Sequence, residues 1–427
     1  MILTVVIVLV GTISSYPGPE LIVPVDGISV NGQIGFKFAN MMQEDSIESR
    51  LSVIPEITPI YRWSGSILWL RSKNGFIEDQ EYTITIDPGG SSHDGRSIKK
   101  LLRWTIKVRK GQVVYLSPAD ETRELWRAAP DGSNKTQITQ TSSGVVDASP
   151  SVDGEWIVFS ARNEAGGADI WQIDRNGKRK EILVNCGKDT CIEPNLAPDG
   201  EKLAYTRQTG SGKAIWTYLF ATKETGQMFQ SPPLAGMQPS WSPDGRYLAM
   251  VDPDQGVIRV YDFINRKGVE IVSNSGRPGS WGYQSDEYYY LNEETIGGVP
   301  VAVILAVNLK NQEIRRLFGE KFQGMDVNIP IVSPTGTGMI VGVRTRVGSV
   351  AQQLWLLDLV GEKNLIITNE PAYSHADYHW DSSGKQILFQ RYDPSSSTNR
   401  PEVLLYNLGN QQVTVIARDA TFPFWLP

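Results

Sequence analysis

The chain has 427 residues, of which 40% are hydrophobic and 21% charged; this is the composition of a folded protein, not a disordered one. A formal charge of −6 argues against a nucleic-acid partner, because phosphate binding draws on a basic surplus. Three His and two Cys leave little material for a multi-histidine or zinc centre, while 40 Gly and 25 Pro predict many turns.

Residues Ile2–Val10 form an apolar run broken only by Thr4, followed by small residues and then Tyr16-Pro17-Gly18-Pro19. This is the pattern of a secretory signal over residues 1–17, with Thr12 and Ser14 as the small residues before a cleavage point. The run is short for a membrane span of about 20 residues. It lacks a basic front, since the first positive charge is Lys37, and no Cys follows it for lipid attachment. The expectation is an exported protein, cleaved from its signal, with an uncleaved membrane tether as the alternative. Cys186 and Cys191 flank a turn-like Gly-Lys-Asp-Thr, so a disulfide between them is expected in an oxidising compartment.

Residues 18–109 show no helical period of useful length. Short alternating runs appear instead: Ile34-Gly-Phe-Lys-Phe38, Leu51-Ser-Val-Ile54, Ile67-Leu-Trp-Leu70, Tyr82-Thr-Ile-Thr-Ile86 and Trp104-Thr-Ile-Lys-Val108. Turn signals such as Pro24-Val-Asp-Gly27 and Asp87-Pro-Gly-Gly90 separate them. About 90 residues spaced this way predict an immunoglobulin-like β-sandwich. With Met41-Met42, Trp63-x-Gly65, Leu68 and Asp94-x-x-Ser97, these motifs resemble the bacterial Ig-like family typified by surface-layer proteins (SbsA-type). Ala39-Asn40-Met41 departs from the family's pattern. The resemblance implies a spacer or display module, and His93-Asp94 is expected to be a polar loop.

Residues 110–427 repeat one unit. The clearest copies are Gln238-Pro-Ser-Trp-Ser-Pro-Asp-Gly-Arg-Tyr-Leu-Ala-Met250 and Glu193-Pro-Asn-Leu-Ala-Pro-Asp-Gly-Glu-Lys-Leu-Ala-Tyr205. Each reads as strand, Asp-Gly-type turn, strand, with the turns at Asp153-Gly154, Asp199-Gly200 and Asp244-Gly245. Weaker copies turn at Ser285, Gly336 and Gly384, and a third and fourth strand follow each hairpin. Four strands per repeat make the blade of a β-propeller. The first copy, at Gly111-Gln-Val-Val-Tyr115, lacks a strand before its turn. The last segment, Pro423-Phe424-Trp425, is such a strand without a turn. The fold class expected is therefore all-β: a sandwich followed by a seven-bladed propeller closed by pairing the C-terminal strand with the first blade. The motifs Pro-x-Trp-Ser-Pro-Asp-Gly and Ile170-Trp-x-x-Asp174 resemble the TolB-type propeller repeat. That resemblance implies an exported propeller used for protein contacts. TolB has six blades and a different N-terminal domain, so its particular envelope role is not implied.

No motif marks catalysis. The turn aspartates belong to different blades. His375 and His379, on a strand, would stand about 13 Å apart, too far for one metal. A nucleophile elbow and a phosphate loop are both absent. The expected function is a non-catalytic binding or scaffold protein, a monomer with no cofactor, contacting a protein or cell-surface polymer. The alternatives are a carbohydrate-active enzyme with acidic residues at the channel mouth, and a tethered sensor. Trp126, Trp171, Trp216 and Trp355 occupy equivalent third-strand positions and are expected to pack between blades.

Overall fold

A computed structural model describes residues 18–120, 122–229, 234–318, 320–345, 351–361, 364–396 and 400–427. The signal expected over residues 1–17 lies outside the described residues. The protein is all-β apart from the short helix Glu44–Glu48 and a 3-10 turn at Glu320–Phe322. Among the described residues no helix is long and apolar enough to cross a membrane. The chain divides into two compact units. The first runs to Gly111 and takes in Val152–Gly154 and Pro427; the second is Gln112–Ser151 with Glu155–Leu426.

The first unit holds seven strands: β1 (Glu20–Ile22), β2 (Ile34–Lys37), β3 (Leu51–Ile54), β4 (Pro59–Ser64), β5 (Ile67–Ser72), β6 (Glu81–Ile86) and β7 (Leu102–Lys107). They form one sheet in the order β1-β2-β5-β4 and another in the order β3-β6-β7. Alternation decides which face is buried: Tyr82, Ile84 and Ile86 of β6 are buried, while the threonines between them are half-buried. They join Phe36, Leu68, Leu70 and Ile106 in one core.

In the second unit the described strands fall into seven antiparallel sets, six of four strands and one of five, in which the innermost strand is in two pieces. Set 1 joins Gln112–Ser117, Glu124–Ala128 and Thr136–Gln137 to the C-terminal Thr421–Leu426. Sets 2 to 4 begin at Val145–Pro150, Thr190–Leu196 and Met237–Trp241. Sets 5 to 7 begin at Ser280–Trp281, Met325–Val327 with Ile331–Val332, and Ser374–Trp380. A single parallel residue pair, Ala168 with Thr190, joins the strands of sets 2 and 3 into one sheet. The Asp-Gly turns follow from local chemistry. Gly154, Gly200 and Gly245 have φ of 65°, 72° and 72°, where a side chain would be strained. Asp199 accepts the Glu201 N–H at 2.9 Å, and Asp244 accepts the Arg246 N–H at 3.0 Å.

The innermost strands pack one against the next around the unit, and the ring closes where Thr421–Leu426 lies between Ser374–Trp380 and Val145–Pro150. Phe424 pairs with Val114 and Trp425 with Val113. Phe424 and Leu426 enter the core shared by sets 1 and 2, and Trp425 packs against the core shared with set 7. Tryptophans staple neighbouring sets. The Trp241 indole donates to the Asn195 carbonyl at 3.1 Å, Trp281 to that of Ser240 at 3.1 Å, and Trp380 to that of Ile331 at 3.0 Å. Trp425 occupies the same repeat position, but its buried Nε1 meets no acceptor. Trp126, Trp171, Trp216 and Trp355 are half-buried and pack against four different inter-set cores.

Candidate functional site: one end of the propeller ring

The Asp-Gly turns lie at one end of the ring. Polar groups reach from set to set at both ends: at the turn end Arg127 donates to the Arg175 carbonyl at 3.1 Å, and the opposite end is where second strands run into third strands and fourth strands into the next set. Three features build this end.

The first is a repeated bulge in the innermost strands. Register shifts occur at Val145/Asp147, Ile192/Asn195, Met237/Ser240, Ala376/His379 and Thr421/Phe424. Four of these bulges hold a non-glycine residue in the left-handed region: Glu193 (φ 56°), Gln238 (56°), Asp377 (46°) and Phe422 (49°). Each costs on the order of 1 kcal/mol or more and persists only where its surroundings fix it. Part of that fixing is visible. Asp147 accepts the Glu193 N–H at 2.7 Å, and Glu193 accepts the Gln238 N–H at 2.8 Å and the Thr206 hydroxyl at 2.6 Å. A carboxylate in one set thus caps the bulge of the next. At the closure, Gln390 takes that part for the Phe422 N–H at 3.2 Å.

The second feature is the electrostatics of those bulges. Burial pushes the Asp147 carboxyl up to about 6, and neighbouring Glu193 adds to the rise. Burial also raises Asp377. Arg123 answers with positive charge close to Asp147, donates to the Val146 carbonyl at 3.3 Å, and stacks over the Phe422 ring at 5.4 Å. Phe422 is 45% exposed, an aromatic side chain offered to solvent from a strained backbone.

The third feature is a hydrogen-bonded belt across sets 5 to 7. Arg277 donates to the Val327 carbonyl at 3.0 Å and to Asn328 Oδ1 at 3.1 Å. Asn328 donates to Gln352 at 3.4 Å, and Gln352 donates to the His375 carbonyl at 2.6 Å. The His375 ring lies 3.1 Å from the Gln352 carbonyl and 3.0 Å from Glu370. Arg391 then joins Glu370 at 3.0 Å to Glu402 at 2.6 Å. His375 is fully buried, and burial lowers its pKa despite the Glu370 carboxylate. Burial alone would raise Glu370, but hydrogen bonds from Arg391 and His375 bring it below the ordinary range.

Asp153, Asp199 and Asp244 stay in their turns, away from this end. His375 and His379 share the strand Ser374–Trp380, one buried and one exposed. Among the described residues no group of three or more His, Cys, Asp or Glu is arranged to hold a metal ion. His93 and Asp94 lie in a polar loop of the first unit, where Asp94 accepts from Asn40 at 2.8 Å. A disulfide joins Cys186 and Cys191 between sets 2 and 3. The bulge residues, Arg123, Arg277 and the belt are not signalled by any motif. Their one sequence sign is the Pro that follows Glu193, Gln238 and Phe422.

No family model matches the chain. Over 139 residues it is 26% identical to the Tol-Pal system protein TolB of Alcanivorax borkumensis, covering 32% of this chain and 30% of that protein. Over 147 residues it is 26% identical to an uncharacterized protein of Agrobacterium fabrum, covering 30% of this chain and 46% of the other. The chain thus spans less than half the length of these curated relatives. Among solved structures, TolB from Acinetobacter baumannii superposes with a TM-score of 0.46 at 12% identity, over 88% of this chain and 83% of that one. The propeller domain of the Pyrococcus furiosus Trilobed protease gives 0.47 at 13%, over 64% and 84%. The repeat and the strand order of the second unit give this chain a β-propeller fold, with sequence similarity to TolB over about a third of its length.

Proposed function

We propose that the protein is an exported binding module whose propeller, of seven blades, receives a partner at the end described above. The observation that supports this best is the ring of left-handed bulges, which holds Phe422 exposed beside Arg123 and spaces Asp147, Glu193 and Asp377 around it. Strained backbone concentrates where a surface is pre-organised for contact. An exposed aromatic beside an arginine is the side-chain pair that interfaces favour. The first unit, with sheet orders β1-β2-β5-β4 and β3-β6-β7, fits an Ig-like spacer, because an immunoglobulin-type sandwich divides its seven strands in this way. The disulfide and the apolar run at residues 2–10 support export. The test is a photo-crosslinking amino acid placed at Phe422, and in a second protein at Ile264, 71% exposed in an outer turn. Discrete adducts to one envelope protein from position 422 and none from 264 are expected. Equal or absent labelling from both positions refutes the reading.

One observation favours an enzyme as second reading: a carboxyl raised to about 6 beside another carboxylate is what acid–base catalysis uses. Release of reducing sugar from an acidic or neutral glycan panel, abolished by Asp147→Asn, would establish it. No release leaves the binding reading alone.

A further inference from the structure

Set 5 departs most from the repeat. Its second and third strands, Glu287–Ile296 and Val299–Asn308, run ten residues each, longer than any others in the ring, and turn at Gly297-Gly298. Beside this hairpin a cleft of about 140 Å³ opens between sets 5 and 6, at the end of the ring that carries the bulges. Asn274, Ser275, Arg277, Asn292, Glu293 and Asp326 line it. Arg277 is exposed yet anchored. One guanidinium nitrogen is held by the Val327 carbonyl and Asn328 Oδ1, both neutral. Arg344 takes the Asp326 carboxylate at 2.8 Å, so one of the two acids that share the cleft is paired elsewhere. Among the described residues no carboxylate forms an ion pair with Arg277.

We infer that Arg277 is the anchor of a carboxylate-binding subsite, taking an acidic side chain of a partner polypeptide. A guanidinium with one nitrogen fixed presents its remaining N–H groups as a ready fork, and carboxylate is the group whose geometry matches that fork. Asn274, Ser275 and Asn292 supply neutral polar groups around it. Among the described residues no aromatic ring lines the cleft, which favours a peptide carboxylate over an acidic sugar, since sugar rings are held by stacking. The inference rests on the partner-binding reading above and names the partner's chemistry.

The test uses the full chain and phenylglyoxal, which modifies accessible arginines. The rate at Arg277 is followed by peptide mass spectrometry, with Arg315, 50% exposed and already paired to Glu287, as internal control. The probe is acetyl-aspartyl amide, compared with acetyl-asparaginyl amide and with galacturonate. The aspartyl probe should slow modification of Arg277 at least about threefold and leave Arg315 unchanged. The asparaginyl probe should not protect. Equal protection by both peptides, stronger protection by galacturonate, or none by the aspartyl probe overturns the inference. Arg277→Lys keeps the charge without the fork and should weaken partner capture from position 422 about tenfold. Crosslinking at 422 that survives while Arg277 shows no protection removes this subsite and leaves the binding end standing.

Discussion

Ring closure makes a quantitative demand on Leu426. Its side chain is fully buried in the strand that completes set 1, against Val114, Leu116, Ile157 and Ile173. Leu426→Ala removes three carbons from a core shared by two sets at the one place where distant parts of the chain meet. Losing that burial and leaving a cavity costs about 3 kcal/mol. This is a large share of the roughly 5–15 kcal/mol that holds a domain together. With a urea slope of about 2 kcal/mol/M, the midpoint should fall by about 1.5 M. Val415→Ala, on a fourth strand at 37% exposure, is the control and should cost under about 1 kcal/mol. The assay is urea unfolding followed by tryptophan fluorescence, which reports mainly the second unit because Trp126 to Trp425 lie there. If Leu426→Ala shifts the midpoint no more than Val415→Ala, the C-terminal strand does not close the ring energetically.

Three further substitutions probe the polar architecture. Buried His375 is neutral when folded, with its pKa lowered from 6.5, so it withdraws stability as pH falls below 6.5; Glu370, lowered from 4.5, does so only below 4.5. His375→Gln should therefore flatten the stability profile just below pH 6.5 and leave the loss below 4.5, which a set of melts in different buffers will show. Asp147, raised from 3.8 to about 6, carries a burial penalty that is absent below pH 3.8 and complete above 6. Asp147→Asn should stabilise by about 1–3 kcal/mol at pH 8 and have little effect at pH 3.5, read by denaturant titration at the two pH values. Trp281→Phe removes a donor with two acceptors on Ser240 and should cost about 1–2 kcal/mol more than Trp425→Phe, whose Nε1 has none. Equal thermal shifts for these two variants would refute the staple.

The turns and the closing strand are legible in the sequence because their causes are local or complementary. Asp199-Gly200 and Asp244-Gly245 carry in two residues the left-handed glycine and the side-chain acceptor that their turn needs. Pro423-Phe424-Trp425 reads as a strand without a turn, and Gly111-Gln-Val-Val-Tyr115 as a turn without a strand. Other elements give no such sign. β4 is an edge strand whose inward face is only Tyr61 and Trp63, both half-buried, with Pro59, Ile60, Arg62 and Ser64 exposed, so its apolar alternation is short. Glu44–Glu48 is too short for a helical period to show. The belt from Arg277 to Glu402 joins residues far apart in the chain, which no local pattern can indicate.

The bulges show how a repeat divides its positions between fold and function. The backbone at Glu193, Gln238, Asp377 and Phe422 is nearly the same, within ten degrees of φ, while the side chains are an acid, an amide, an acid and an aromatic ring. A purely architectural role would be served by glycine at each, which enters the left-handed region without strain. Four costly non-glycine residues imply that the side chain at this position matters more than the ease of forming the bend. Glu193 shows one use, capping the next bulge. Phe422, whose own N–H is capped by Gln390 and whose ring stands exposed beside Arg123, has no such structural task. The same reasoning applies to set 5, where the repeat is most degenerate and the turn glycine is Ser285. The long hairpin and the anchored Arg277 stand in that set.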